Sequence, residues 1–205
     1  MPRVFYGNFD FEHDLCRTGP GDSAGLLPHL QQSLSFAWLL AARDGDAIVA
    51  AEEFEREFLR GDDVEFPAVR WLPAGALRNA NIRAALGENA ADWSLAPWGW
   101  TAKCRAWARS IGLKAEAPDE AAVRTANSRR FSFSLESEWK VGLPGAGAMT
   151  TAAELDAELS RYDATEPWVL KAEFSMSARE RILGRGSKLA QNSRRWAEIR
   201  LERDG

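Results

Sequence analysis

The sequence predicts an α/β fold in two parts, a parallel α/β domain over residues 1–115 and a smaller α+β unit over residues 116–205. Two observations carry this reading. Strand and helix periods alternate through the first sixty residues, the opening of a parallel sheet. Much later, after two helical stretches, an aromatic and β-branched run from Pro167 to Phe174 marks another buried strand, with Lys171 within it.

Arg3–Asn8 reads as the first strand, closing on Gly7-Asn8, a tight turn at the carboxyl end where open α/β sheets place ligands. Residues 9–25 form an acidic loop with Asp10, Glu12, His13, Asp14 and Cys16, and His29 lies beyond it. These side chains have metal-ligating chemistry but no helix-face spacing, and a solvated loop accounts for them as well. Leu26–Ala42 carries Leu27, Leu30, Leu34, Ala37, Trp38 and Ala41 at a period near 3.6, which predicts a helix stopped by Asp44-Gly45-Asp46. Ala47–Ala50 is a fully buried strand, and Glu52–Arg60 a short helix with Phe54 and Phe58 inward.

Periodicity then breaks down. Val69–Leu72 reads as a strand and Asn79–Leu86 as a helical turn ending at Gly87. In Ala96-Pro97-Trp98-Gly99-Trp100, two tryptophans around a glycine make a rigid corner, suited either to core packing or to stacking a planar ligand. Thr101 caps a helix with Cys104, Trp107, Ala108 and Ile111 on one face, ended by Gly112. Pro118-Asp119 opens the next helix, with Ala122, Val123 and Ala126 buried and Asn127, Arg129 and Arg130 near its end. Thr151 and Glu154 have capping-box spacing ahead of Leu155, Leu159 and Tyr162. After the 167–174 strand, residues 175–186 read as a loop, 187–196 as a helix, and Ala197–Arg203, alternating polar and apolar, as a half-exposed strand.

Composition narrows the function classes. The apolar share of 45% is ample for a core, and a net charge of −4 argues against a dedicated nucleic-acid binder. Charge is uneven: residues 1–65 carry 5 basic and 13 acidic side chains, residues 171–205 carry 9 and 5. Such a basic segment suits an anionic ligand, or simply a solvated face. Cys16 and Cys104 show no Cys-x-x-Cys spacing, which points to a reducing compartment. No apolar run approaches the ~18 residues a membrane span needs. Met1 leads directly into a strand without a signal peptide, so a soluble cytoplasmic protein is expected.

The chemistry concentrates at the 167–186 stretch. A strand carrying Lys171, followed by Ser175, Ser177, Arg179, Arg181, Gly184 and Gly186, has the make-up of a phosphate clamp. Small residues let backbone N–H groups approach phosphate oxygens, and the lysine adds a point charge. The alternative is a lysine snorkelling from a strand end beside a solvated arginine turn. Gly186-Ser187-Lys188 reverses the Walker A order, and Gly145-Ala146-Gly147 lacks the third glycine of a dinucleotide fingerprint.

Strand, lysine, small-residue loop and helix together resemble the first half of the ATP-grasp fold, the nucleotide clamp of carboxylate–amine ligases. Upstream, Asn127-Ser128-Arg129-Arg130-Phe131 resembles that family's first basic nucleotide contact, with arginine in place of the usual lysine, and Leu143-Pro144-Gly145 with a short helix matches the connection between them. The resemblance implies a Rossmann-like precursor domain over 1–115, a partial ATP-grasp subdomain over 116–205, and nucleotide contacts from Arg129, Arg130, Lys171, Ser175, Ser177, Arg179, Arg181, Gly184 and Gly186. It implies ATP as ligand, with magnesium only if a C-terminal half is supplied, because that family's magnesium ligands and adenine hinge would lie beyond Gly205. A clamp without them is not expected to turn over. A non-catalytic scaffold of the same ancestry, joining a second chain or itself through an open 197–203 sheet edge, is the alternative. An anion or nucleic-acid binder using Trp196 and the basic segment comes third.

Overall fold

Four short strands, β1 (Arg3–Tyr6), β2 (Ala47–Ala50), β3 (Arg70–Pro73) and β4 (Ser94–Pro97), pair in parallel in the order β3-β2-β1-β4. The computed structural model describes residues 1–16, 33–50, 65–73, 82, 85–87, 89–175 and 180–204. They form two compact units. The first holds Met1–Phe11 and the described residues from 33 to 120, the second Glu12–Cys16 and the described residues from 121 to 204.

In the first unit, β1 pairs with β2 through Val4↔Ala47 and Phe5↔Ile48, and with β4 from Arg3↔Ser94 to Tyr6↔Pro97. One sheet face presents Val4, Ala47, Val49, Leu72 and Leu95 to a helix, whose Cys104, Ala108 and Ile111 pack onto it. That helix, Ala102–Ile111, is capped as its sequence predicts: Thr101 accepts the Cys104 N–H at 3.2 Å, and Gly112 closes it at φ 80°. The other face presents Phe5 and Ile48 to Leu39 and Trp38. Between β1 and β4 the strand order reverses. Asn8 sits there, 6% exposed, with its amide turned into the fold: Nδ2 donates to the Gly99 carbonyl at 2.7 Å, and Oδ1 accepts the Gly99 N–H at 3.2 Å. Gly99 is required because a Cβ would lie 2.0 Å from the Phe11 ring. Around this switch point Trp98 packs on Phe9 at 5.1 Å and on Trp38 at 5.8 Å, while Trp100 packs against the core.

Asp46 ties β1 to the turn before β2. Its carboxylate accepts the backbone N–H of Arg3 (2.8 Å) and of Arg43 (2.9 Å), and pairs with the Arg3 guanidinium at 2.8 Å. Burial acts to raise its pKa, but these donors outweigh it and hold the carboxyl below the usual range. A group depressed in the folded state stabilises above its unfolded pKa and loses that contribution as pH falls through the folded value. Asp46→Asn is therefore expected to cost about 1–3 kcal/mol at pH 7, with the gap to wild type closing under acid. Urea titrations at pH 7 and pH 3 check both halves.

In the second unit, α1 (Phe11–Leu15) contributes its residues from Glu12 onward, and α2 names the Ala102–Ile111 helix of the first. There follow α3 (Glu120–Ala126), α4 (Arg129–Trp139), α5 (Ala152–Leu159), the strands β5 (Pro167–Lys171) and β6 (Arg181–Arg185), and α6 (Gln191–Asp204). The two strands make an antiparallel hairpin in which Trp168 faces Gly184, Leu170 faces Ile182 and Lys171 faces Arg181. Trp168 and Leu170 pack on Leu155, Leu159 and Ala197, the small core shared with α5 and α6. An isolated hairpin is marginal in water, and these helices are what stabilise it.

Several expectations are corrected here. Residues 11–15 are helical and lie within the stretch read as an acidic loop. The helix predicted to 42 gives way at Phe36–Leu40 to a 3-10 turn, in which the Trp38 carbonyl accepts the N–H groups of both Ala41 and Ala42. Ser94–Pro97 is a strand that local propensity did not announce, made by its ladder to β1. Residues 181–185, read as loop, are β6. Residues 197–203 are helical, not a strand: Ala197 and Asp204 are buried and Leu201 partly so, a helical spacing, while Arg194 and Glu198 pair at i,i+4 and Arg200 stacks on Trp196 at 4.3 Å. The sheet edge expected there, and self-association through it, therefore lose their basis. The Glu52–Arg60 helix, residues 26–32 and most of Asn79–Leu86 lie outside the described residues.

Candidate functional site

The arginines expected near a helix C-terminus stand instead at a helix N-terminus. The chain breaks between α3 and α4, and Ser128 caps the second helix by accepting the Phe131 N–H at 3.1 Å. Arg129 and Arg130 are thus the first two residues of α4, where the dipole disfavours cations by about 0.3–1 kcal/mol. Acceptors on the segment after Lys171 offset this. Arg129 Nε donates to the Ala172 carbonyl (2.9 Å), and its Nη2 to the Ser175 carbonyl (3.2 Å) and Ser175 Oγ (2.7 Å). Arg130 pairs through Nε with Glu173 Oε2 at 3.2 Å and donates to the Asp204 carbonyl. Glu173 also accepts from the Ser128 hydroxyl.

Glu173 is the residue that sequence reasoning missed. Its side chain is 10% exposed and receives α4's cationic start. A carboxylate two residues beyond the lysine was the available signal.

Along the hairpin, burial alternates on both strands. Trp168, Leu170, Ile182 and Gly184 are half-buried; Pro167, Val169, Lys171, Arg181, Leu183 and Arg185 are exposed. The open face therefore carries an apolar cross-strand pair, Val169 opposite Leu183, beside a cationic one, Lys171 opposite Arg181. Neither of these two cations has a carboxylate within ion-pairing distance among the described residues, whereas nearby Glu180 is taken by Arg200 at 2.6 Å. Like charges directly opposite across a sheet repel, and an anion held between them relieves that repulsion.

The two glycines serve packing. A Cβ on Gly184 would lie 2.1 Å from the Trp168 ring, and Gly186, at φ 71°, has the Ala164 backbone within 3.0 Å of its Cβ position. Ser175 is buried under Arg129. Ser177 and Arg179 lie outside the described residues. Arg129, Arg130 and Lys171 all line one cavity of about 410 Å³, with walls from Met149, Leu155, Leu159, Tyr162, Trp168 and Trp196. Lys171 sits at its rim, since Trp168 and Leu170 face inward from the same strand.

Cys16 is buried beside this unit's charged residues, donating to the Glu12 and Phe174 carbonyls at 3.3 and 3.5 Å. Burial pushes its thiol up to about 11, against the opposing pull of Arg203 and Arg124, so it stays protonated at neutral pH. Among the described residues, no group of three or more His, Cys, Asp and Glu side chains comes together to hold a metal ion, and no helix is long and apolar enough to cross a membrane. Compared with known proteins, the chain matches no family model, no curated protein and no solved structure.

Proposed function

We propose that the second unit binds a nucleotide on the open face of the β5–β6 hairpin, in the manner of an ATP-grasp clamp of ligase lineage. Lys171 and Arg181 hold the phosphates from opposite strands, and the base lies along the adjoining Val169–Leu183 pair. The observation that carries this reading is the facing pair of exposed cations, neither with a carboxylate partner among the described residues, whose mutual repulsion a bound anion relieves. The apolar neighbours favour a ligand with a flat, weakly polar part over a bare phosphate. Arg185, on the same face, extends the cationic rim. ATP is the ligand proposed. Turnover would require bound magnesium as well.

Under this reading, millimolar ATP raises the melting temperature of the second unit, and Lys171→Ala or Arg181→Ala removes most of that rise. A like-charge pair broken without ligand leaves the apo protein as stable as wild type or slightly more so. Differential scanning calorimetry with and without ATP measures both. An unchanged melting temperature in wild type would turn the choice toward the second reading, an interaction module. That reading draws on exposed Trp139, Val141 and Leu143, which are 63–80% accessible.

A further inference from the structure

We infer that Arg129 is a positioning residue for this anion site: it straps the segment leading from Lys171 and does not itself touch the ligand. The inference rests on the nucleotide reading of the hairpin and adds to it a division of labour between the cations. Arg129 reaches three acceptors on one short piece of chain, the Ala172 carbonyl and both oxygens of Ser175, while its own N–H donates to the Glu173 carbonyl at 3.3 Å. Ala172 and Ser175 are both buried and Arg129 is half-buried over them, so these bonds are partly screened from water. The same Ala172 donates its N–H to the Glu180 carbonyl at 2.9 Å, extending the hairpin ladder one step past the facing Lys171 and Arg181. Arg129 thus grips the segment at the point where two facing cations would otherwise drive the strands apart. A fork with fixed donor directions can serve three acceptors on one segment; an ammonium cannot reproduce that geometry.

The test is isothermal titration of the full chain with ATP, arranged as a double-mutant cycle. A residue that acts only by positioning another loses its effect once that other is gone, whereas a residue that touches the ligand keeps it. Lys171→Met is expected to weaken binding about tenfold. Arg129→Gln is expected to weaken binding about tenfold, Arg129→Lys to leave most of that loss in place, and Arg129→Gln added to Lys171→Met to cost little further. If Arg129→Gln does not fold, Ser175→Ala removes one of the three acceptors, and binding about threefold weaker alone but little changed on top of Lys171→Met is expected. Full additivity of Arg129→Gln with Lys171→Met would make Arg129 a direct contact and overturn the inference, as would wild-type affinity in Arg129→Gln or, where it does not fold, in Ser175→Ala. Failure of the wild-type chain to bind ATP is a separate result, read before any variant, and overturns the nucleotide reading together with the inference built on it.

Discussion

Replacing Ile111 with alanine is expected to lower the stability of the parallel-sheet unit by about 2–5 kcal/mol, enough to leave a marginal domain largely unfolded. Ile111 is fully buried where α2 meets the sheet, in the cluster that holds Val4, Val49, Leu72 and Leu95. Alanine is the better helix former by a few tenths of a kcal/mol, so propensity works against the expected loss and whatever is measured belongs to packing. The truncation removes methyl groups whose partners are on rigid strands, and such sites collapse poorly around a void. Leu143→Ala, at a residue 80% exposed, is the control and is expected to stay within about 0.5 kcal/mol of wild type. Urea denaturation of both variants decides the matter. Equal, small changes would mean that α2 does not seat on the sheet as described.

Legibility in the sequence followed the range of the forces involved. Thr151 with Glu154, and Thr101 with Gly112, were readable because a cap is a bargain among residues three or four apart, and both helices begin or end where those residues stand. Ser94–Pro97 was not, because Ser-Leu-Ala-Pro has little intrinsic β preference and becomes a strand only by pairing with β1, some ninety residues away. The 197–203 stretch misled for a related reason: alternation over seven residues fits both periods, and the deciding contacts of Ala197 lie on α5. At the candidate site, Lys171 and Arg181 were both named from the sequence, but their register as cross-strand partners needed β6, which was read as loop. The break at Asn127-Ser128, like Glu173, was a local signal overlooked. Two capping residues in succession mark a helix start, and recognising it would have moved Arg129 and Arg130 to the beginning of α4.

Trp168→Ala is expected to destabilise the second unit by about 3 kcal/mol, the lower part of the range for truncating a large aromatic, because the ring is only half-buried. Among its described residues this unit has few fully buried apolar side chains, so one indole is a large share of their packing. The ring also covers Gly184 from the facing strand and donates Nε1–H to the Gly186 carbonyl at 2.8 Å, tying the end of β6 to the start of β5. The steric counterpart is Gly184→Ala, whose Cβ would fall 2.1 Å from the ring and force it off the α5–α6 core, at about 1–3 kcal/mol. Combining the two discriminates between causes. If Gly184 is small only to admit the indole, adding Gly184→Ala to Trp168→Ala costs almost nothing further, and the cycle shows a coupling of about 1–3 kcal/mol. Additive losses would mean instead that Gly184 is required by the backbone of β6 and not by the indole facing it.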